Sequence, residues 1–159
     1  MRRAAFTLIE LVLVLAILAM MAAFVAPSLA KSSRQRTLDQ EALRLIAVME
    51  YARDEAISQG VAMAVYVDTQ ARTFGMEPAS ETSGVDVRKE FTLHPDLHFE
   101  KIEGGALKKS GRIITFTPEG VTETGSVETV GITDLTGATT QVVRDAAAWG
   151  YEIAANKTR

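Results

Sequence analysis

Hydrophobic and polar positions divide the 159 residues into two parts with different patterns. Across residues 6–26 apolar side chains fall on every face a helix would have, and over 11–26 no polar side chain interrupts them. As a helix this stretch would run about 31 Å at ~1.5 Å per residue. That matches a bilayer core of roughly 30 Å. Beyond it the period changes. Leu38, Ala42, Leu45, Ile46, Met49, Ala52 and Ala56 recur at spacings of three and four, the mark of one buried helix face. Arg34, Gln35, Asp39, Gln40, Glu41, Arg44, Glu50, Arg53 and Glu55 mostly fill the other side. Gly60 stands where a left-handed C-terminal stop belongs. The pattern predicts one helix of about 50 residues, apolar all round in its first half and amphipathic in its second.

After Gly60 the signals become those of strands and turns. Short apolar or β-branched runs predict strands over 61–67, 73–77, 87–93, 97–102, 112–116, 127–133, 140–144 and 148–153. The polar stretch 68–72, Gly104-Gly105 and 108–111 read as turns. Thr117-Pro118-Glu119-Gly120 fits a type I turn, with Pro second and Gly fourth. Residues 78–86, rich in Ser, Gly and Glu, read as a mobile loop. One long helix followed by several strands predicts an α+β fold, with an antiparallel sheet laid on the helix. The division expected is 1–5, 6–30 and 31–159: a leader, an apolar helix and a globular domain.

Composition narrows the function classes. With 17 basic and 20 acidic side chains the formal charge is −3, and aromatics are 6% of the chain. That disfavours a nucleic-acid binder resting on a basic surface or on stacked bases. The chain has no cysteine, which removes disulfides, thiolate catalysis and zinc–thiolate sites. Arg2 and Arg3 precede the apolar run and no basic residue returns until Lys31. By the positive-inside rule the N-terminus is cytoplasmic and the rest lies across the membrane. Ser28-Leu29-Ala30 would serve as a secretory cleavage site, but the run exceeds the usual apolar core of about 7 to 15 residues. Glu10, a carboxylate within the apolar stretch, also has no place in a simple signal peptide. Such a group calls for a functional partner.

The run Ala5-Phe6-Thr7-Leu8-Ile9-Glu10 resembles the processing site of type IV pilins and type II secretion pseudopilins. The resemblance implies cleavage between Ala5 and Phe6 by a membrane prepilin peptidase, and N-methylation of the new Phe6 amine. It implies that Glu10 pairs with the Phe6 ammonium of a neighbouring subunit. Pro27 falls where the family's long helix often carries a kink-forming proline. Ala5 departs from the family, which nearly always has Gly at that position; Ala is the next smallest residue, and the difference bears on the rate of cleavage. The later part resembles the H-type minor pseudopilins and FimT-like minor pilins, through Ala-Arg-Asp-Glu-Ala-Ile-Ser-Gln-Gly at 52–60 and Ile-Thr-Phe-Thr-Pro-Glu-Gly at 114–120.

The resemblance implies a pilin-like fold and a structural subunit without catalysis or cofactor, single-pass in a bacterial inner membrane with its globular domain in the periplasm. The implied partners are the prepilin peptidase, other major and minor pseudopilins, the inner-membrane assembly platform and secreted proteins. Such a subunit would help initiate the fibre or contact secreted proteins. Two rivals remain: a FimT-like minor type IV pilin that binds DNA in natural transformation, and a membrane-anchored binding module or enzyme.

Other chemistry is thin. His94 and His98 are four apart, but Pro95 between them opposes a helix, so they read as strand or turn residues rather than metal ligands. No nucleophile elbow, phosphate loop or dinucleotide glycine pattern occurs. Glu77, Glu81 and Asp86 lack calcium-loop spacing. Lys108, Lys109 and Arg112, with Lys157 and Arg159, read as solvated charge. Their clustering on one face would favour the DNA-binding rival.

Overall fold

The computed structural model describes residues 7–108, 111–145 and 150–154; side chains 24–30, 82, 107 and 108 fall outside the description. It contains one long helix, α1 (Leu8–Gln59), and nine strands: β1 (Met63–Asp68), β2 (Thr73–Pro78), β3 (Lys89–Thr92), β4 (Leu97–Gly104), β5 (Leu107–Lys108), β6 (Gly111–Phe116), β7 (Val127–Asp134), β8 (Thr139–Arg144) and β9 (Tyr151–Ile153). Two compact units divide the chain, residues 1–36 and 37–159.

In the first unit the described large apolar side chains of α1 are exposed. Leu8 is 80% exposed, and every large apolar residue from Ile9 to Met21 in the described set is exposed as well. Among the described residues no helix is long and apolar enough to cross a membrane. The described side chains of the apolar run extend over 8–23 and include Glu10, short of the roughly 20 apolar residues a span requires.

The second unit is built on the amphipathic half of α1. Leu38, Ala42, Leu45, Ala52 and Ala56 are fully buried, Met49 is nearly so, and Ile46 packs against them half-buried. The stripe predicted from spacing is thus the face that makes the core. The helix stops at Gly60, whose φ is +65°. The Val61 N–H returns to the Ala56 carbonyl at 3.2 Å, the six-to-one bond of a glycine-terminated helix.

Among the described residues all strand pairings are antiparallel, as expected, and the strands form two sheets. One runs β3-β2-β1-β6-β5 and the other β4-β7-β8-β9. Met63, Val65 and Val67 of β1 join Phe74, Met76, Ile114 and Phe116 in the same core that Leu97, Phe99, Val130, Ile132 and Val142 of the second sheet enter. The helix stripe and both sheets share one hydrophobic interior. On the other face of the first sheet, Ala64, Tyr66 and Ile113 form a small second cluster, on which Ala79 packs.

Turns follow the predicted chemistry. In 68–72 the Asp68 carboxylate accepts from the N–H groups of Gln70 and Ala71 at 2.8 Å each, while Arg72 takes a left-handed φ of +55°. The Gly120 N–H bonds the Thr117 carbonyl at 2.8 Å, closing the four-residue turn read from Pro118 and Gly120. The stretch 78–86 differs from the expected free loop. It holds a 3-10 turn at Glu81–Ser83, and the Ala79 N–H bonds the Ala62 carbonyl at 2.9 Å. Residues 107–108, read as turn or left unassigned, form the short strand β5 against β6.

Candidate functional site

The first candidate region is the start of α1. Thr7 precedes the helix, and its hydroxyl accepts from the Glu10 N–H at 3.4 Å; its carbonyl accepts from Glu10 and Leu11 at 3.1 and 3.3 Å. A Thr followed three residues later by Glu is the residue pattern of a capping box. It places the Glu10 carboxylate in the first turn, where the helix dipole favours negative charge. Glu10 therefore has a local reason to sit at this position besides the one implied by resemblance. The sequence reading missed this, although the Thr-x-x-Glu spacing was visible. Ala5 and Phe6 lie outside the described residues, as does the side chain of Pro27, so the expected processing point and kink are not among the features described.

In the second unit, the two stretches singled out for the subfamily resemblance meet. Arg53 of α1 donates from Nε to the Gly120 carbonyl at 2.9 Å. Gly120 has φ +75°, and a Cβ there would stand 2.7 Å from Ile57 Cδ1. Only glycine lets the 117–120 turn sit this close to the helix while taking that φ. The motif at 52–60 and the motif at 114–120 are thus the two halves of one contact between α1 and the sheet.

A cleft of about 550 Å³ opens on the outer side of β1 and β2, lined by Tyr66, Asp68, Thr73, Glu77, Arg88 and Glu90 among others. Its geometry follows from a missing side chain. Gly75 stands opposite Tyr66 on one side and Glu90 on the other. A Cβ at Gly75 would lie 2.6 Å from the Tyr66 oxygen. The ring crosses that gap, and its hydroxyl donates to Glu90 Oε2 at 2.9 Å. Burial, the bond to Glu90 and the charges of Glu90, Glu77 and Asp68 together push the Tyr66 phenol above its usual range. The hydroxyl stays protonated and acts as a donor. The bond ties Glu90 of β3 to Tyr66 of β1 across β2.

The remaining sequence candidates are dispersed. His94 lies before β4, with its Nδ1 accepting from the Asp96 N–H at 3.3 Å, and His98 lies within β4. Among the described residues no group of three or more metal-binding side chains gathers. Arg112 donates to the carbonyls of Gly104 and Gly105 at 2.7 and 3.2 Å, so its charge closes the β5–β6 region. Lys109, Lys157 and Arg159, and the Lys108 side chain, lie outside the description. Glu77 lines the cleft and Glu81 lies in the 3-10 turn. Arg44, read from the sequence only as part of the polar side of the helix, places its guanidinium 4.9 Å from the Phe91 ring centre and 5.7 Å from that of Phe74.

Residues 41–156 match the family of type II transport protein GspH. The chain belongs to the GspH family. Residues 1–26 match the prokaryotic N-terminal methylation motif. Among solved structures, this GspH-family fold is similar to the minor pseudopilin EpsH of the Vibrio cholerae type II secretion system. The TM-score is 0.59 at 14% identity, over 78% of this chain and 97% of that one. It is similar also to the type IV minor pilin FimU of Pseudomonas aeruginosa, at TM-score 0.56 and 17% identity over 79% and 94%. At such identities the likeness is one of fold. No curated protein matches the chain. This GspH-family member thus joins the domain of a type II transport protein, in an α+β pilin-like fold, to an N-terminal methylation motif.

Proposed function

We propose that this chain is a minor subunit of a type II secretion pseudopilus. A prepilin peptidase cleaves between Ala5 and Phe6, and Phe6 is N-methylated. Residues 6–26 hold the subunit in the inner membrane, N-terminus cytoplasmic and the domain of 31–159 periplasmic, until assembly. The same helix then packs among those of other major and minor pseudopilins, with Pro27 as the point where it bends. Glu10 pairs with the Phe6 ammonium of a neighbour, so that neither charge stands alone in an apolar surrounding. The assembly platform of the inner membrane drives the transfer. At the fibre the subunit helps initiate growth or contacts secreted proteins.

The observation that carries this reading is the exposed apolar surface of α1 from Leu8 to Met21. Burying each such Leu, Ile, Val or Met is worth about 1.5–3 kcal/mol. A surface of that size, on a segment matching the methylation motif, calls for apolar surroundings from outside the chain. A second reading, a minor subunit of a type IV pilus, is favoured by the likeness to FimU. DNA binding draws little support, because Arg112 is held by carbonyls of its own domain.

Deletion of the chain, with secretion of a reporter exoprotein and twitching motility read side by side, tests the proposal. Loss of secretion with motility intact is expected. Intact secretion with lost motility would move the subunit to the pilus, and loss of neither would contradict both readings.

A further inference from the structure

We infer that β4 is an edge closed against strand pairing, and that the extra residue at Glu100–Lys101 is what closes it. Without that residue the unit would join a second copy of itself through β4. This goes beyond the function proposed above and does not depend on which machine the subunit serves.

A sheet edge left open is a template for another chain. Among the described residues the edges are β3 and β5 in one sheet and β4 and β9 in the other. β3, β5 and β9 span four, two and three residues, too short to seat a partner well. β4 spans eight, and it is the edge that carries the interruptions.

The groups it turns outward follow from the ladder. The Asp134 N–H bonds the Ala138 carbonyl at 2.9 Å. That turns the main chain of Asp134, and by alternation those of Ile132 and Val130, towards β8. Thr133 and Thr129 then face β4, opposite His98 and Glu103. The main chains of Leu97, Phe99, Ile102 and Gly104 are left facing outward. Both ends of this row are occupied. The Leu97 N–H bonds the His94 carbonyl at 2.9 Å, and Arg112 donates to the Gly104 carbonyl at 2.7 Å.

The middle of the row is broken by a bulge. Phe99 pairs with Ile132 and Ile102 with Val130, so Glu100 and Lys101 together stand opposite Gly131. Lys101 crowds that position: a Cβ on Gly131 would lie 3.3 Å from its Cβ, N and O. The core does not call for the extra residue. Phe99 is buried with its ring edge-on to Phe74, and Ile102 packs half-buried on the same core. A plain pleat brings inward side chains every second residue, not every third. The extra residue instead bends and twists the strand. Glu100, Lys101 and Glu103 stay exposed along it, with Lys101 paired to Glu103 at 2.8 Å.

The test removes the bulge and keeps the core register. The full chain lacking Lys101 is compared with Lys101→Ala, which loses the charge and keeps the bulge. Light scattering in detergent, with micelles in large excess over chains, reads the mass. The parent chain and Lys101→Ala should hold one copy per micelle. The deleted chain should melt within a few degrees of the parent and dimerise at least ~10-fold more tightly. The chain has no cysteine, so Glu100→Cys on the deleted chain reports the contact. On oxidation it should cross-link at least ~10-fold faster than Gln141→Cys, on the inner strand β8. A deleted chain that is folded and monomeric would overturn the proposal, as would equal cross-linking of the two variants. Equal dimerisation of Lys101→Ala would overturn it by assigning the guard to charge. Loss of cooperative melting on deletion of either Lys101 or Glu100 would overturn it by making the extra residue a requirement of the fold.

Discussion

The two halves of α1 differ in apolar content, in its arrangement and in their fates. In 38–56 most apolar residues keep to one stripe, with Leu43 and Tyr51 exposed outside it, and that stripe is fully buried at Leu38, Ala42 and Leu45. In 8–21 they occupy all faces, and all are exposed. Distribution as well as content separates the half that completes its own domain from the half that must be completed by something else. The residues that punctuate each half agree with this. The far end is stopped by Gly60 and held to the sheet by Arg53 and the Gly120 turn. The near end is started by Thr7 and Glu10, neither of which touches a core.

The largest expected effect falls on assembly and leaves the domain untouched. Glu10→Gln should cut incorporation into the fibre by roughly tenfold or more, equivalent to about 1.4 kcal/mol or more, measured as sheared-fibre against membrane fractions. The melting temperature should not move. A shift of the melting temperature with assembly unchanged would reverse the comparison.

Stability should respond the other way round. Leu45→Ala, at a fully buried position, should lower unfolding free energy by about 2–5 kcal/mol. Leu13→Ala, at a position 57% exposed, should change it by no more than ~0.5 kcal/mol. Urea titration of the two variants gives the answer, and equal losses would mean that the near half of α1 packs on something within the chain.

A smaller loss is expected where helix and turn meet. Gly120→Ala combines a φ of +75° with a methyl 2.7 Å from Ile57 Cδ1, and should cost about 1–3 kcal/mol. Adding Ile57→Ala should restore part of that loss by removing the clash. A second substitution that only adds its own cost would show that backbone strain alone governs the site.

The smallest effect is a slope in alkali. Burial raises the Tyr151 phenol above its usual value, and its hydroxyl donates to the Val127 carbonyl. Because the folded form keeps the proton longer, this contribution is intact below pH about 10, the unfolded value. It is lost as pH rises towards the folded value, at up to about 1.4 kcal/mol per pH unit. Tyr151→Phe should flatten the denaturation curve above pH 10.

Much of this was legible before the fold was known, where short-range chemistry decided the outcome. The helix stripe, its stop at Gly60, the 117–120 turn and the eight principal strands are written in spacing and turn residues. What stayed hidden depends on distance along the chain. β1 pairs with β6, and β4 with β7, and no local pattern says that these pairings make two sheets. β5 is two residues long, too short for alternation to show. Arg44 and Lys89 look like ordinary solvated charge until Phe91 and Tyr51 are brought beneath them. At the N-terminus the opposite happened: Glu10 was noticed for its oddity among apolar residues, while the plain capping pattern it forms with Thr7 was overlooked.

The central claim is that the exposed half of α1 belongs to a processed subunit that other subunits complete. Mass spectrometry of the N-terminus, on protein extracted from membranes with and without the prepilin peptidase, tests it most directly. The account predicts N-methylated Phe6 as the terminus, only when the peptidase is present. An intact Met1 terminus in both, or a terminus at Lys31, would contradict it.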